Sequence, residues 1–203
     1  MITLAIDTST THGSVAVFAY GEIVFEESFT ADRNHSATLF PCLQRARACS
    51  QRIHQIAVGL GPGSYAGVRI SIAAALGFEL AMGAKLVGVP SIVALDAEAP
   101  EYLAIGDARR ETFYFARVLN RVCVDGPRLV SEREMRELLS AYPSQPCLTC
   151  APLVQFPSAL LLPPSASLLA RLAAEGTGIV ATDNLEPIYL REAQVTMPKQ
   201  RVL

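Results

Sequence analysis

The period of apolar and polar positions changes three times within the first fifty or so residues. Ile2–Ile6 is a continuous apolar run that ends at Asp7 and meets the turn-rich TSTTHG, which predicts a strand. Ser14–Tyr20 gives a second strand, Gly21-Glu22 a tight turn and Ile23–Phe29 a third strand. Two short connections in a row demand antiparallel neighbours, because parallel strands need long crossovers. From about Ser36 to Arg52 the spacing turns helical, with Leu39, Leu43 and Ala46 in step. Pro41 falls near the first turns of that helix, where a missing donor matters least. Ile56–Gly59 is again a strand, followed by GLGPGSYAGVR and a helix from about Ala66 to Met82. A strand over Leu86–Val89 and a short helix over Ser91–Glu98 complete the first half.

The second half partly repeats the first. LAIGDARRETFYFARVL (103–119) again gives a strand, an Asp near its end, a turn and a strand. Ser131 with Glu134 three residues on is a capping box for a helix through about Tyr142. A strand over Cys147–Thr149 and a helix over about Ser167–Glu175 follow, with an irregular, proline-rich stretch over Pro143–Pro164. The leading order β-β-β-α-β-α-β-α sets three antiparallel strands beside parallel ones added by crossover helices. That is the order of the ribonuclease H-like α/β fold, the building block of the sugar kinase, Hsp70 and actin-like ATPase superfamily. Two related half-domains are expected, residues 1–100 and 101–203, the second one reduced.

The helix after the glycine loop is unusual. Val68, Ile72, Ala75, Leu76 and Leu80 can face a sheet, while Gly67, Ser71, Ala74, Gly77 and Ala81 form a second stripe of small residues. A surface helix turns a charged side to water, yet this one offers only Arg69 and Glu79. It is therefore expected to be covered on both sides, either between two half-domains or by another protein. The second option is favoured, because a chain of 203 residues can bury few such helices.

Composition narrows the function. Half of the chain is apolar (51%) and its mean hydropathy is +0.31, so disorder is not the default. The richest apolar run, Ser71–Val89, is broken by Glu79 and Lys85 and reads as buried helix and strand rather than a membrane span. Met1 leads straight into a strand without a basic or signal-like segment, so a cytoplasmic location is expected. A net charge of −2 argues against a chain that grips nucleic acid alone, since phosphate neutralisation supplies most such affinity. The basic group nearest to a patch, Arg45, Arg47 and Arg52, reads as the solvated side of a helix. Among five cysteines, Cys147 and Cys150 form a single Cys-x-x-Cys, where a zinc ribbon needs two, and Cys42 and Cys49 share a helix face. Packing is the simpler role for all of them.

The phosphate-binding readings fail one by one. Gly61-x-Gly63-x-x-Ala66, with Ser64 inside it, satisfies the dinucleotide pattern, but the next strand ends Val87-Gly88-Val89-Pro90 without the required acid. No Gly-Lys-Ser/Thr follows, so a Walker loop is excluded. The glycine amides at a helix N-terminus could still attract an anion, or the glycines could serve only a tight turn. Asp7 with Thr8, Ser9 and Thr10 has the form of the superfamily's first phosphate loop, and Asp107 is its counterpart in the other half. A stand-alone ATPase or small-molecule kinase would use both, plus a larger second domain. Local capping of its own turn is the simpler role for Asp7. His12, His35 and His54 share no helical face, no Gly-x-Ser-x-Gly is present, and no metal site or complete catalytic set emerges.

Six blocks, LAIDTSTTHGSVAVF, RNHSATLFP, GLGPGSYAGVRI, GVPSIVAL, DARRETFY and EPIYLR, run in order from residue 4 to 191. Together they resemble the TsaB (YeaZ) family. The resemblance implies a non-catalytic partner of TsaD in bacterial synthesis of N6-threonylcarbamoyladenosine at tRNA position 37. In that pathway TsaC makes the threonylcarbamoyl-adenylate, TsaD transfers the group and TsaE is an ATPase working with the pair. Where catalytic TsaD carries a His-x-x-x-His metal pair, this chain has Ser91 and Leu95, which also argues against a metallopeptidase. Two helices of the first half, mapping to about His35–Ala48 and Gly67–Met82, are implied to pair with those of TsaD or of a second copy. The implied interface residues are His35, Leu39, Leu43, Gly67, Ser71, Ala74, Gly77, Phe78 and Ala81. Asp7, Thr8, Ser9, Gly61, Gly63 and Ser64 are left as a vestigial phosphate loop, with no required cofactor and at most weak nucleotide binding. tRNA is implied to reach the chain only through the complex, a homodimer to form when it is alone, and no membrane to be involved.

Overall fold

The computed structural model describes residues 1–30, 35–50 and 52–191, and it is built on two sheets of matching order. In the first, β1 (Thr3–Asp7), β2 (His12–Ala19) and β3 (Glu22–Thr30) form an antiparallel meander. Helix α1 (His35–Ala48) crosses over to β4 (Gln55–Gly59), which lies parallel to β1. Helix α2 (Tyr65–Met82) crosses over again to β5 (Lys85–Val89), parallel to β4. The short helix expected over Ser91–Glu98 is a single 3-10 turn, Ser91–Ala94.

In the second, β6 (Glu101–Asp107), β7 (Thr112–Leu119) and β8 (Val122–Ser131) repeat the meander. The apolar pattern does not predict β8, whose residues alternate between exposed and half-buried instead of forming an apolar run. Helix α3 (Glu132–Ala141) starts at the expected capping box, with Ser131 Oγ accepting from the Glu134 amide and Glu134 reaching back to the Ser131 amide. β9 (Cys147–Thr149) and β10 (Leu160–Leu161) then add in parallel. The two orders, β5-β4-β1-β2-β3 and β10-β9-β6-β7-β8, are the same permutation, which makes the chain a ribonuclease H-like, actin-like repeat. The second copy is reduced at one place: between β9 and β10 no helix stands where α2 stands in the first.

The chain then returns. Helix α4 (Ala166–Glu175) packs on β1 and β2, and β11 (Ala181–Thr182) pairs antiparallel with β5. Strand alternation separates three cores. Leu4, Ile6, Val15, Val17, Ile56 and Val58 meet α1 and α2. Their neighbours Ala5, Ala16 and Ala57 face the opposite way, toward α4 and the Tyr102, Ala104, Tyr114 and Ala116 side of the second sheet. Leu103, Ile105, Phe113 and Phe115 bury against Met135 of α3. Small residues on the inner faces allow α4 and the 3-10 turn to fit between the sheets. Tyr102 donates its hydroxyl to the Ile92 carbonyl at 2.8 Å, tying the halves together.

By length and composition alone α2 would cross a membrane, with a mean hydropathy of 1.3 over 18 residues. In this fold it lies on the first sheet through Val68, Ile72 and Ala75.

Candidate functional site

The loop after β1 and the glycine loop before α2 meet face to face. Asp7, Thr8 and Ser9 are all buried. Asp7 Oδ1 accepts from the Ser9 amide at 2.8 Å and from the Ser9 hydroxyl at 2.7 Å, so the acid does cap its own turn. The Ser9 carbonyl accepts from the Ser64 amide at 2.6 Å, and Thr8 Oγ1 donates to the Gly67 carbonyl at 2.7 Å. A Cβ at Gly63 would fall 2.1 Å from the Ser9 carbonyl oxygen, and one at Gly67 would fall 1.9 Å from that of Thr8. These two glycines are there to let two backbones touch. Ser64 caps α2 by accepting from the Gly67 amide at 3.1 Å, so the helix N-terminus is served from within.

Asp7 Oδ2 is buried without a hydrogen-bond partner. Burial raises the carboxyl above its ordinary pKa of 3.8, and the Ser91 hydroxyl and the Ser9 hydroxyl and amide offset part of the rise. Ser91 Oγ accepts from the Gly61 amide at 2.9 Å, and the Gly61 carbonyl accepts from the Ser91 amide at 2.8 Å. Ser91 thus joins the glycine loop to the end of β5, and Leu95 is fully buried. Among the described residues no three His, Cys, Asp or Glu side chains converge as metal ligands. Asp107 caps its turn in the same way, accepting from the Arg109 amide at 2.7 Å, but it is exposed where Asp7 is buried.

Cys147 and Cys150 point to opposite sides of the second sheet, Cys147 toward α3's core and Cys150 toward α4's. Three residues along an extended chain reverse the face, so the pair cannot act together. Burial pushes the Cys150 thiol up to about 12 and Cys147 up to about 11. Cys42 is buried, and Cys49 lies exposed just beyond the end of α1.

The helix face differs from its expected form. Gly67, Ser71 and Ala74 are turned inward: Ser71 donates to the Val68 carbonyl at 2.9 Å, and Ala74 is only 6% exposed. Leu39 and Leu43 of α1 are likewise core residues, and Phe78 is half-buried against the same core. None of these six stands on an open surface, because the small residues seat the helix closely on its own sheet and on the Thr8 loop. The His35 side chain lies outside the described residues. Of the expected stripe only Gly77 and Ala81 are exposed. Leu76 and Leu80, expected against the sheet, face outward instead, Leu80 at 87% exposure. Tyr65, Ala73, Leu76, Gly77 and Leu80 make one exposed stripe along α2, and Phe40 of α1 is 55% exposed. Sequence periodicity missed it because a helix apolar all round does not declare which side is out.

The family of tRNA N6-adenosine threonylcarbamoyltransferase, TsaD, matches residues 23–137, more than half of the chain. The Escherichia coli tRNA threonylcarbamoyladenosine biosynthesis protein TsaB is 31% identical over 219 residues, covering 93% of this chain and 94% of that protein. The chain belongs to the TsaB (YeaZ) family. An uncharacterized Mycobacterium leprae protein is 32% identical over 143 residues, 66% of this chain but only 40% of that protein. The solved structure of YeaZ from Pseudomonas aeruginosa superposes with a TM-score of 0.70 at 21% identity, covering 93% of this chain and 99% of that one. It shares the fold.

One TsaB-like block gains a role that sequence reasoning missed. In EPIYLR, Tyr189 accepts from Arg69 Nε at 2.6 Å, and its ring lies 5.3 Å from that of Tyr65. Arg191 donates to Thr112 Oγ1 and, at 3.2 Å, to the Arg109 carbonyl. The block straps the start of α2 to the β6–β7 turn; aromatic and cationic residues at both ends were the only available signal.

Proposed function

We propose that this chain is a non-catalytic activating subunit in the synthesis of N6-threonylcarbamoyladenosine at position 37 of tRNAs reading ANN codons. In this reading it docks on TsaD through α1 and α2. The observation that carries the reading is the exposed apolar stripe Tyr65, Leu76 and Leu80 of α2, with Phe40 exposed on α1, which touches α2. Contiguous apolar surface of this kind marks a protein contact. The name borne by its E. coli relative supplies the pathway. The buried, self-capped Asp7 and the positions of Ser91 and Leu95 support a subunit that performs no chemistry. Residues 1–100 supply the docking helices, and residues 101–203 a reduced half-domain whose last elements brace the first sheet. TsaC provides the activated threonylcarbamoyl group, TsaE joins the pair, and tRNA is held by the assembly. No cofactor is required, and the site of action is the cytoplasm.

The test is reconstitution with TsaD, TsaC and TsaE of the same organism, ATP, threonine, bicarbonate and unmodified tRNA. Modified adenosine is expected only when this chain is present. Full modification without it, or magnesium-dependent ATP turnover by this chain alone, would make it something other than an activating subunit.

A further inference from the structure

The turn between β6 and β7 is under strain. Arg109, Arg110 and Glu111 stand at φ 66°, 54° and 58°, three left-handed residues in a row with no glycine among them. Side chains disfavour that conformation, and it is met singly rather than in runs. The hairpin turns Tyr20-Gly21 and Asn120-Arg121 use two such residues, as tight hairpins require. The matching turn of the first sheet, between β1 and β2, uses none. It has one residue more to turn in, since Asp7 lies opposite Ser14 whereas Asp107 lies opposite Phe113. A strained turn lasts only where its surroundings hold it. The Arg109 carbonyl accepts from the Thr112 amide at 3.2 Å, from the Thr112 hydroxyl at 2.8 Å and from Arg191 at 3.2 Å. Arg191 also donates to Thr112 Oγ1, so it grips the turn at two points from 79 and 82 residues away.

Arg191 is itself placed by what precedes it. The Ile188 amide donates to the Leu60 carbonyl at 2.8 Å, and Leu190 packs into the core between the sheets. Tyr189 accepts from Arg69 Nε at 2.6 Å, and Arg69 lies over the Tyr65 ring, 3.8 Å from its centre. Tyr65, Arg69 and Tyr189 are all open to solvent. Two residues of chain span at most about 7 Å, so a shift of Tyr189 reaches Arg191 with little slack. We propose that residues 188–191 are a latch coupling the exposed start of α2 to the β6–β7 turn, so that freeing Tyr189 from Arg69 lets the turn relax. Its use in assembly rests on the docking of a partner on α2 proposed above. A partner that draws the Arg69 guanidinium away from Tyr189 opens a turn in the other half of the chain. Coupling of this kind is reciprocal, so whatever relaxes the turn also favours that docking.

The experiment is amide hydrogen exchange read by NMR on the full chain, following the Ala108, Arg109 and Thr112 amides, which bond within the turn. Ala104 and Ile105, in a strand paired on both sides, supply the core reference. Tyr189→Phe, which removes only the hydroxyl, and Arg69→Ala are each expected to speed exchange at the turn about tenfold relative to that reference, as local opening does. Arg191→Ala should do the same or more, and adding Tyr189→Phe to it should change nothing further, because both cut one path. Turn exchange that follows the reference in Tyr189→Phe and Arg69→Ala overturns the coupling, and so does an Arg191→Ala turn as slow as wild type. The same amides are then followed in wild type mixed with TsaD, with binding measured separately by calorimetry. Faster exchange at the turn of the bound chain is expected. Binding without it overturns the link from docking to turn. Absence of binding overturns the docking reading alone, the latch being decided by the variants.

Discussion

Asp7 is a buried carboxyl bound into its own turn. Its Oδ1 is spent on Ser9, its Oδ2 is buried without a partner, and burial raises its pKa. The sign of the pH effect follows. Below the ordinary value of 3.8 both folded and unfolded chains hold the proton, and the stabilising contribution is complete. As pH rises the unfolded carboxyl ionises first, so stability falls until the folded group also loses its proton. Asp7→Asn keeps an acceptor for Ser9 and cannot ionise. Melting temperature against pH, from about 4 to 7, should slope downward more steeply in wild type than in the variant. Parallel curves would mean that Asp7 carries no linked proton.

At the scale of elements, α2 divides its residues between two duties. Its inner side is fixed by Gly67 on the Thr8 carbonyl and by Val68, Ile72 and Ala75 on the sheet; its outer side carries Leu76 and Leu80. Leu80→Arg therefore belongs to the outer side. It should leave monomer stability within about 0.5 kcal/mol, as surface changes do. It should lower affinity for TsaD at least about tenfold, the loss expected of an interface anchor, and titration calorimetry with purified TsaD decides it. An arginine at Ala74, 6% exposed, would disturb the monomer itself. The existence of α1, α2 and α3 was legible in the sequence because caps and spacing are local. Which face of α2 looks outward was not, since that depends on the closeness of Thr8, 59 residues away. β8 was not legible either, as an edge strand with one wet face offers no continuous apolar run. Of the candidate site, the loop positions were read correctly and their mutual contact was not, because glycine spacing looks alike whether a loop holds phosphate or another backbone.

For the whole molecule, α4 is the element that makes two sheets into one body. Leu169 and Leu172, with Ala166, Ala170 and Ala173, are buried against the backs of both sheets. Removing them forfeits on the order of 5 kcal/mol of apolar burial, comparable with the stability of a typical domain. A chain ending at Leu162 should show no cooperative thermal transition by calorimetry. A sharp transition at the wild-type temperature would show that the sheets need no such bracket.

The helix absent between β9 and β10 has a consequence for assembly. A repeat that offered the same helical face on both halves could add subunit after subunit along a line, as an open, head-to-tail contact does. Here only one half owns that face, and a face that meets its own image is used up by a single encounter. If docking runs through that face, the reduction of the second half leaves each chain a single place to receive a partner.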